Sequence, residues 1–224
     1  MAYRVILADD HPVVLKGLTL ALTKDRVAEV VGEAQSPNAL LSLLGETACD
    51  ALVTDFSMPG HEDDGLRLLA EVKRRHPALP TMVITTVVNP ALYREMLATG
   101  VMALVGKTGD AREIPEAFVS MMSQSVYLGS SVRELLRRPS RVSARDGSWG
   151  TLTALSPREL EVLQLFAAGQ NVSEIARATG RGLSTVSQQK TNAMRKLGLG
   201  TDTEVYEYVD YLQLPKPSDS GSPR

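Results

Sequence analysis

The chain has 224 residues, 43% hydrophobic and 22% charged, a length that suits two domains and a composition that excludes a disordered or collagen-like polymer. A net charge of −2 and a single cysteine, Cys49, exclude a uniformly basic protein, an intrachain disulfide and a multi-cysteine zinc site. No apolar run approaches the ~20 residues that span a bilayer, and Met1-Ala2-Tyr3-Arg4 leads into Val5-Ile6-Leu7 without a secretory pattern, so a cytoplasmic address with no membrane partner is expected.

In chain order, residues 1–124 alternate short β-type runs with amphipathic helical segments, the pattern of a parallel sheet with crossover helices. Strands are predicted at about Arg4–Ala8, Glu29–Glu33, Ala51–Asp55, Thr81–Thr85 and Met102–Val105. Helices are predicted at Pro12–Thr23, Pro37–Leu44, Gly65–His76, Pro90–Thr99 and Arg112–Ser123, with Ser36 capping the second. The stretch 125–151 reads as a basic, turn-rich connector with room for a short helix from Ser130 to Arg138. Four helices follow within 152–212, about Pro157–Ala168, Ser173–Thr179, Ser184–Leu197 and Asp202–Leu212, with Gly169, Gly180 and Gly198 at helix ends. Residues 213–224 have the composition of a disordered tail. The expected fold is therefore α/β, a five-stranded doubly wound parallel sheet, followed by an all-α four-helix domain.

The charge is unevenly spread. Acidic side chains outnumber basic ones over 1–125, whereas Ile175–Thr201 carries Arg177, Arg181, Lys190, Arg195 and Lys196 and no acid. That segment is a candidate phosphate-facing surface.

In an open parallel sheet, functional groups gather at the carboxyl ends of the strands. Asp9 and Asp10 follow the first strand and Asp55 closes the third. Clustered carboxylates repel one another unless a cation neutralises them, and hard oxygen donors suit Mg²⁺. Asp55 is then a candidate nucleophile toward a phosphoryl group, with Lys107 after the fifth strand and Thr85 at the end of the fourth as candidate phosphoryl contacts. Taken singly, each residue is equally well a turn, strand or solvated loop residue. Their joint placement at strand ends is the specific signal. His11 reads as a surface or helix-start residue rather than a ligand.

Over residues 3–124 the sequence resembles a response-regulator receiver domain, through Asp9-Asp10, Asp55 followed by Ser57-Met58-Pro59-Gly60, Thr85 and Lys107. The resemblance implies a flavodoxin-like fold in which Asp55 accepts phosphate from a sensor histidine kinase or phosphotransfer protein. It also implies Mg²⁺ on Asp10, Asp55 and the Ser57 carbonyl, with Asp9 acting through water and Thr85 as the switch hydroxyl. Two departures stand out: the Pro59–Gly65 loop is longer than the commonest pattern, and Leu104 replaces an aromatic switch residue. Thr86, next to Thr85, leaves the switch assignment open by one position.

In the C-terminal segment, Ser156, Pro157 and Glu159 form a capping-box signature. The next two helices are joined by a short turn with Gly180 and Gly182, as a helix-turn-helix requires. Its second helix enters the major groove and here offers Thr185, Ser187, Gln188, Lys190, Thr191 and Arg195 to double-stranded DNA. A small helical domain with a solvated basic stripe is the plain alternative. Leu155–Glu159, Gly169–Ala176, Ser184-Thr185-Val186 and Lys196-Leu197-Gly198 resemble the DNA-binding domain of the LuxR (NarL/FixJ) class. That resemblance assigns Val205, Tyr208, Val209 and Leu212 to a dimer contact, although their spacing equally describes core packing. Within the class, Ala8–Pro12, the long Ser57–Gly65 loop and Ser187–Lys190 are most similar to the RcsB-like capsule-synthesis regulators. The implied assembly is a homodimer, or a pair with an auxiliary LuxR-type regulator.

An enzyme reading, a Mg²⁺-dependent haloacid-dehalogenase-type phosphohydrolase, is disfavoured because Ser57 stands where such enzymes carry a second acid. A Rossmann dinucleotide site lacks its glycine-rich turn after the first strand. Control of DNA binding by a small ligand or auxiliary protein instead of phosphate is opposed by the intact acidic site.

Overall fold

The computed structural model describes residues 2–24, 26–58, 64–137 and 155–212. They form two compact units, one within Met1–Val88 and Met96–Arg137, the other within Asn89–Glu95 and Arg138–Arg224. The connector expectation for 138–151 and the tail expectation for 213–224 fall outside the described residues.

The sheet contains β1 (Tyr3–Ala8), β2 (Ala28–Ala34), β3 (Ala51–Asp55), β4 (Thr81–Thr85), β5 (Ala103–Gly106) and β6 (Tyr127–Leu128), in the order β2-β1-β3-β4-β5-β6 with every pair parallel. Side chains alternate across a strand, and β1 divides its apolar residues accordingly. Val5 and Leu7 join one core with Leu15, Leu22 and Phe118 of α1 (Pro12–Thr23) and α5 (Glu113–Met122). Ile6 and Ala8 join another with Leu40, Leu44, Leu68 and Val72 of α2 (Pro37–Glu46) and α3 (Leu66–Arg75). Two covered faces explain why β3 and β4 are buried along their whole length. The chain leaves β1 to one side for β2 and returns to its other side as β3, so the strand order reverses between β1 and β3. Crevices form at such a reversal, and Asp9 and Asp55 flank it.

The sixth strand departs from the sequence expectation. Tyr127 and Leu128 pair with Ala103 and Leu104, and the Gly129 N–H donates to the Leu104 carbonyl at 2.9 Å. The short helix α6 (Ser130–Leu136) follows, burying Val132 and Leu135. Residues 127–136 thus belong to the sheet unit rather than to a connector. Two strand residues are too few to show an alternation, which is why the sequence reads as turn and basic helix there. Between β4 and β5 lies α4 (Pro90–Ala98).

The C-terminal helices are α7 (Pro157–Ala167), α8 (Val172–Thr179), α9 (Leu183–Leu197) and α10 (Asp202–Tyr211). Each of α7, α8 and α10 starts on a reciprocal capping box, Ser156 with Glu159, Asn171 with Glu174 and Thr201 with Glu204, which satisfies otherwise orphaned backbone N–H groups. Gly180 and Gly198 close α8 and α9 in the left-handed conformation, with φ of 64° and 73°.

Candidate phosphoacceptor site and nucleic-acid interface

The strand ends bring Asp9, Asp55 and Lys107 together. The Lys107 ammonium donates to Asp55 Oδ2 at 2.6 Å and lies 2.7 Å from Asp9 Oδ2, the second contact an ion pair rather than an aligned hydrogen bond. Both carboxylates are buried, Asp9 fully and Asp55 to 4% exposure. Burial pushes the Asp55 carboxyl above its ordinary value, and Lys107 opposes that rise without cancelling it. Burial also works against the charge of Lys107, but its close contacts with the negative carboxylates of Asp55 and Asp9 outweigh this and hold the ammonium above its ordinary value.

Local backbone donors orient the acids. The His11 N–H donates to Asp9 Oδ1 at 2.9 Å, and the Ser57 N–H to Asp55 Oδ1 at 3.3 Å. Asp10 is less buried and lies 2.7 Å from His11 Nδ1. Thr85 is buried at the end of β4, where its hydroxyl oxygen accepts from the Val87 N–H at 3.0 Å and its carbonyl accepts from the Lys107 N–H at 2.7 Å. Thr86 is exposed. Leu104 is buried within β5.

The donor set fits a hard divalent cation. Two carboxylates, Asp9 and Asp55, share one ammonium, and ligand atoms of Asp9, Asp10 and His11 lie within 4.8 Å of one another. His11, expected at the surface, is exposed but contributes a nitrogen to this cluster. Sequence reasoning missed Asp64, whose Oδ2 accepts the Met58 N–H at 2.8 Å and so closes the lengthened loop after β3. Its only sequence signal is an acid directly before a turn glycine.

On α9, Thr185, Ser187, Gln188, Thr191 and Arg195 are exposed, as expected of a helix face offered to a groove. Ser184, Gln188, Thr191 and Arg195 follow helical spacing, and both Gln188 Nε2 and Arg195 Nη2 donate to Asn192 Oδ1, at 3.0 and 2.8 Å. Lys190 departs from the expectation. Its side chain is 14% exposed, its ammonium sits 2.7 Å from Asp202 Oδ1 and 3.4 Å from the centroid of the Phe166 ring, and it ties α9 to α7 and α10. Two partners remote in sequence thus hold the charge of a side chain that the sequence offers to DNA. Arg181 and Lys196 are likewise paired, with Glu161 at 2.6 Å and Glu159 at 2.7 Å. Of the α10 residues that the resemblance assigns to a dimer contact, Val205, Tyr208 and Val209 are buried and Leu212 is half-buried.

Residues 5–119 match the family described as the response regulator receiver domain, and residues 153–209 match bacterial regulatory proteins of the luxR family. The chain is 38% identical over 216 residues to the transcriptional regulatory protein RcsB of Escherichia coli strain K12, covering 96% of this chain and 97% of that one. It is 29% identical over 212 residues to the response regulator protein VraR of Staphylococcus epidermidis, covering 93% and 97%. Among solved structures, an RcsB–DNA complex superposes with a TM-score of 0.83 at 35% identity, covering 95% of this chain and all of that one. RcsB from Salmonella enterica serovar Typhimurium, bound to promoter P1flhDC in the presence of the phosphomimetic BeF3⁻, gives 0.83 at 36% identity over the same shares. Among the described residues, no helix is long and apolar enough to cross a membrane.

Proposed function

The chain belongs to the RcsB-like, LuxR-class response regulators, and on that premise we propose that phosphorylation of Asp55 controls its binding to DNA as a dimer. The observation that carries this reading is the Asp55 carboxylate at the end of β3, held 2.6 Å from the Lys107 ammonium beside Asp9. An Asp55 oxygen attacks the phosphorus of a phosphohistidine on a sensor kinase or phosphotransfer protein. The P–N bond breaks as the acyl phosphate forms, and the imidazole leaves with its electron pair. Asp10, Asp55 and the Ser57 carbonyl would hold Mg²⁺, with Asp9 acting through water, and the bound ion would supply positive charge to offset that of the incoming group. Lys107 transfers its ion pair to a phosphoryl oxygen. Thr85 accepts only one hydrogen bond from Val87 and keeps its own proton to donate to another.

Output resides in 152–212, where Thr185, Ser187, Gln188 and Thr191 face base edges and Arg195 faces phosphates. The solved RcsB complexes, including one of two RcsB dimers on two parallel DNAs, support DNA binding by a dimer. A mixed dimer with an auxiliary LuxR-type regulator uses the same groove-facing residues. We extend the receiver from 1–124 to include β6 and α6, leaving the connector to begin after Arg137.

Incubation with a small-molecule phosphodonor, with and without Mg²⁺, tests the assignment. The wild-type chain should label only with Mg²⁺, and Asp55→Asn should not label at all. Persistent Mg²⁺-dependent labelling of Asp55→Asn would overturn it.

A further inference from the structure

Ser57 stands at the edge of the phosphoacceptor site and is held from two sides. Its own N–H donates to Asp55 Oδ1 at 3.3 Å. The following peptide is held by Asp64, whose Oδ2 accepts the Met58 N–H at 2.8 Å. A trans peptide is planar, with its C=O and N–H pointing in opposite directions, and the described chain has no cis bond. Fixing the Met58 N–H therefore fixes the Ser57 carbonyl, which points away from Asp64.

Among the described residues, Asp64 accepts no hydrogen bond besides the one from Met58. The N-cap of α3 is Gly65, and no side chain caps that helix. The bond runs backward over six positions to a residue whose side chain is wholly buried among Leu52, Leu68 and Val72. Gly65 reinforces the closure. It adopts φ of 63°, and a Cβ there would lie 3.4 Å from the Phe56 ring, so the loop returns directly against the residue after Asp55. The two ends of the loop are thus pinned to each other on the site side, and added length between them leaves the Ser57 peptide where it is.

From this geometry we infer that Asp64 is a positioning residue of the phosphorylation site, orienting the Ser57 carbonyl for the divalent cation through the Ser57–Met58 peptide. The inference rests on the proposed reading of the acidic site. It also gives the lengthened loop a physical account, because the hydrogen bond to Asp64 separates loop length from site geometry.

The test is calorimetric titration of the full chain with Mg²⁺ alone, without phosphodonor, comparing wild type, Asp64→Ala and Asp64→Asn. Removing an outer partner of a ligand weakens metal affinity by about 10–100-fold, and Asp64→Ala should fall in that range. Asp64→Asn keeps an oxygen acceptor and should recover most of the affinity. A purely structural role would lower the metal-free melting temperature of Asp64→Ala and leave Mg²⁺ affinity of the folded chain unchanged, which would overturn the inference. Equal losses in the Asn and Ala variants would also overturn it, since charge rather than the hydrogen bond would then be responsible. If Asp64→Ala does not fold, amide exchange of wild type decides: the Met58 N–H should be protected without metal, and exchange at the rate of an unbonded amide refutes the contact. Failure of wild type itself to bind Mg²⁺ would instead sink the proposed metal site.

Discussion

Lys190 illustrates how a cation's neighbours decide its work. An ammonium over an aromatic ring contributes about 0.5–2 kcal/mol, and its pair with Asp202, which is itself exposed, adds at most ~1 kcal/mol. Lys190→Ala should therefore lower the stability of the C-terminal unit by about 1–2 kcal/mol in urea denaturation. It should leave the slope of DNA affinity against salt nearly unchanged, whereas Arg195→Ala should shrink that slope by about one. A reduced slope with unchanged stability in Lys190→Ala would return Lys190 to the DNA. Glu159 offers a pH-dependent counterpart. Burial alone would raise its carboxyl, but hydrogen bonds from Lys196 and Ser156 outweigh this and hold it below its ordinary value. A depressed folded value contributes stability above the unfolded value, and that stability is lost as pH falls through the folded one. Glu159→Gln keeps a capping oxygen yet loses the charge, so it should melt lower near neutral pH, by about 1 kcal/mol. The gap to wild type should close as the medium is acidified through the lowered range of this carboxyl, and a gap independent of pH would contradict the assignment.

At the scale of elements, α6 carries more structure than its seven residues suggest. Leu135 is buried with Val132, and the Glu113 carboxylate on α5 accepts the Ser130 N–H at 2.8 Å, anchoring the helix start. Leu135→Ala should cost about 2 kcal/mol, the low end for a buried leucine near a surface, measured as a shift of the receiver's urea midpoint. No shift would mean that α6 is only loosely attached. The five long strands and their crossover helices were legible because apolar runs and helical periodicity persist over enough residues to exceed chance. Asp9, Asp55, Thr85 and Lys107 were legible because a parallel sheet sends every strand's carboxyl end to one side. The β6–α6 extension was not, since a two-residue strand has no period and its partner Leu104 lies far upstream. Lys190 and Asp64 escaped for the same reason: their roles are set by Phe166, Asp202 and Met58, which no local pattern announces. The apolar stripe of α10 suits a core and a dimer contact equally, and three of its residues, Val205, Tyr208 and Val209, are buried.

For the whole molecule, the prediction concerns assembly. A phosphoryl group on Asp55 adds charge and acceptor oxygens beside Thr85 and Lys107, whose loops lead into α4 and α5. Beryllofluoride should therefore raise both the mass in solution and the operator affinity, with half-sites roughly 34–36 Å apart and approximately palindromic. Unchanged mass and affinity, with the mimic bound, would leave DNA binding standing and remove phosphorylation as its control. The sixth strand bears on how such masses are read. Because Tyr127 and Leu128 pair along Ala103 and Leu104, an apolar ladder is kept from presenting open backbone groups to other chains. A receiver cut at residue 124 would uncover that edge, and exposed apolar edges template sheet-to-sheet association. Self-association of so short a fragment would then report a missing strand rather than a regulated dimer.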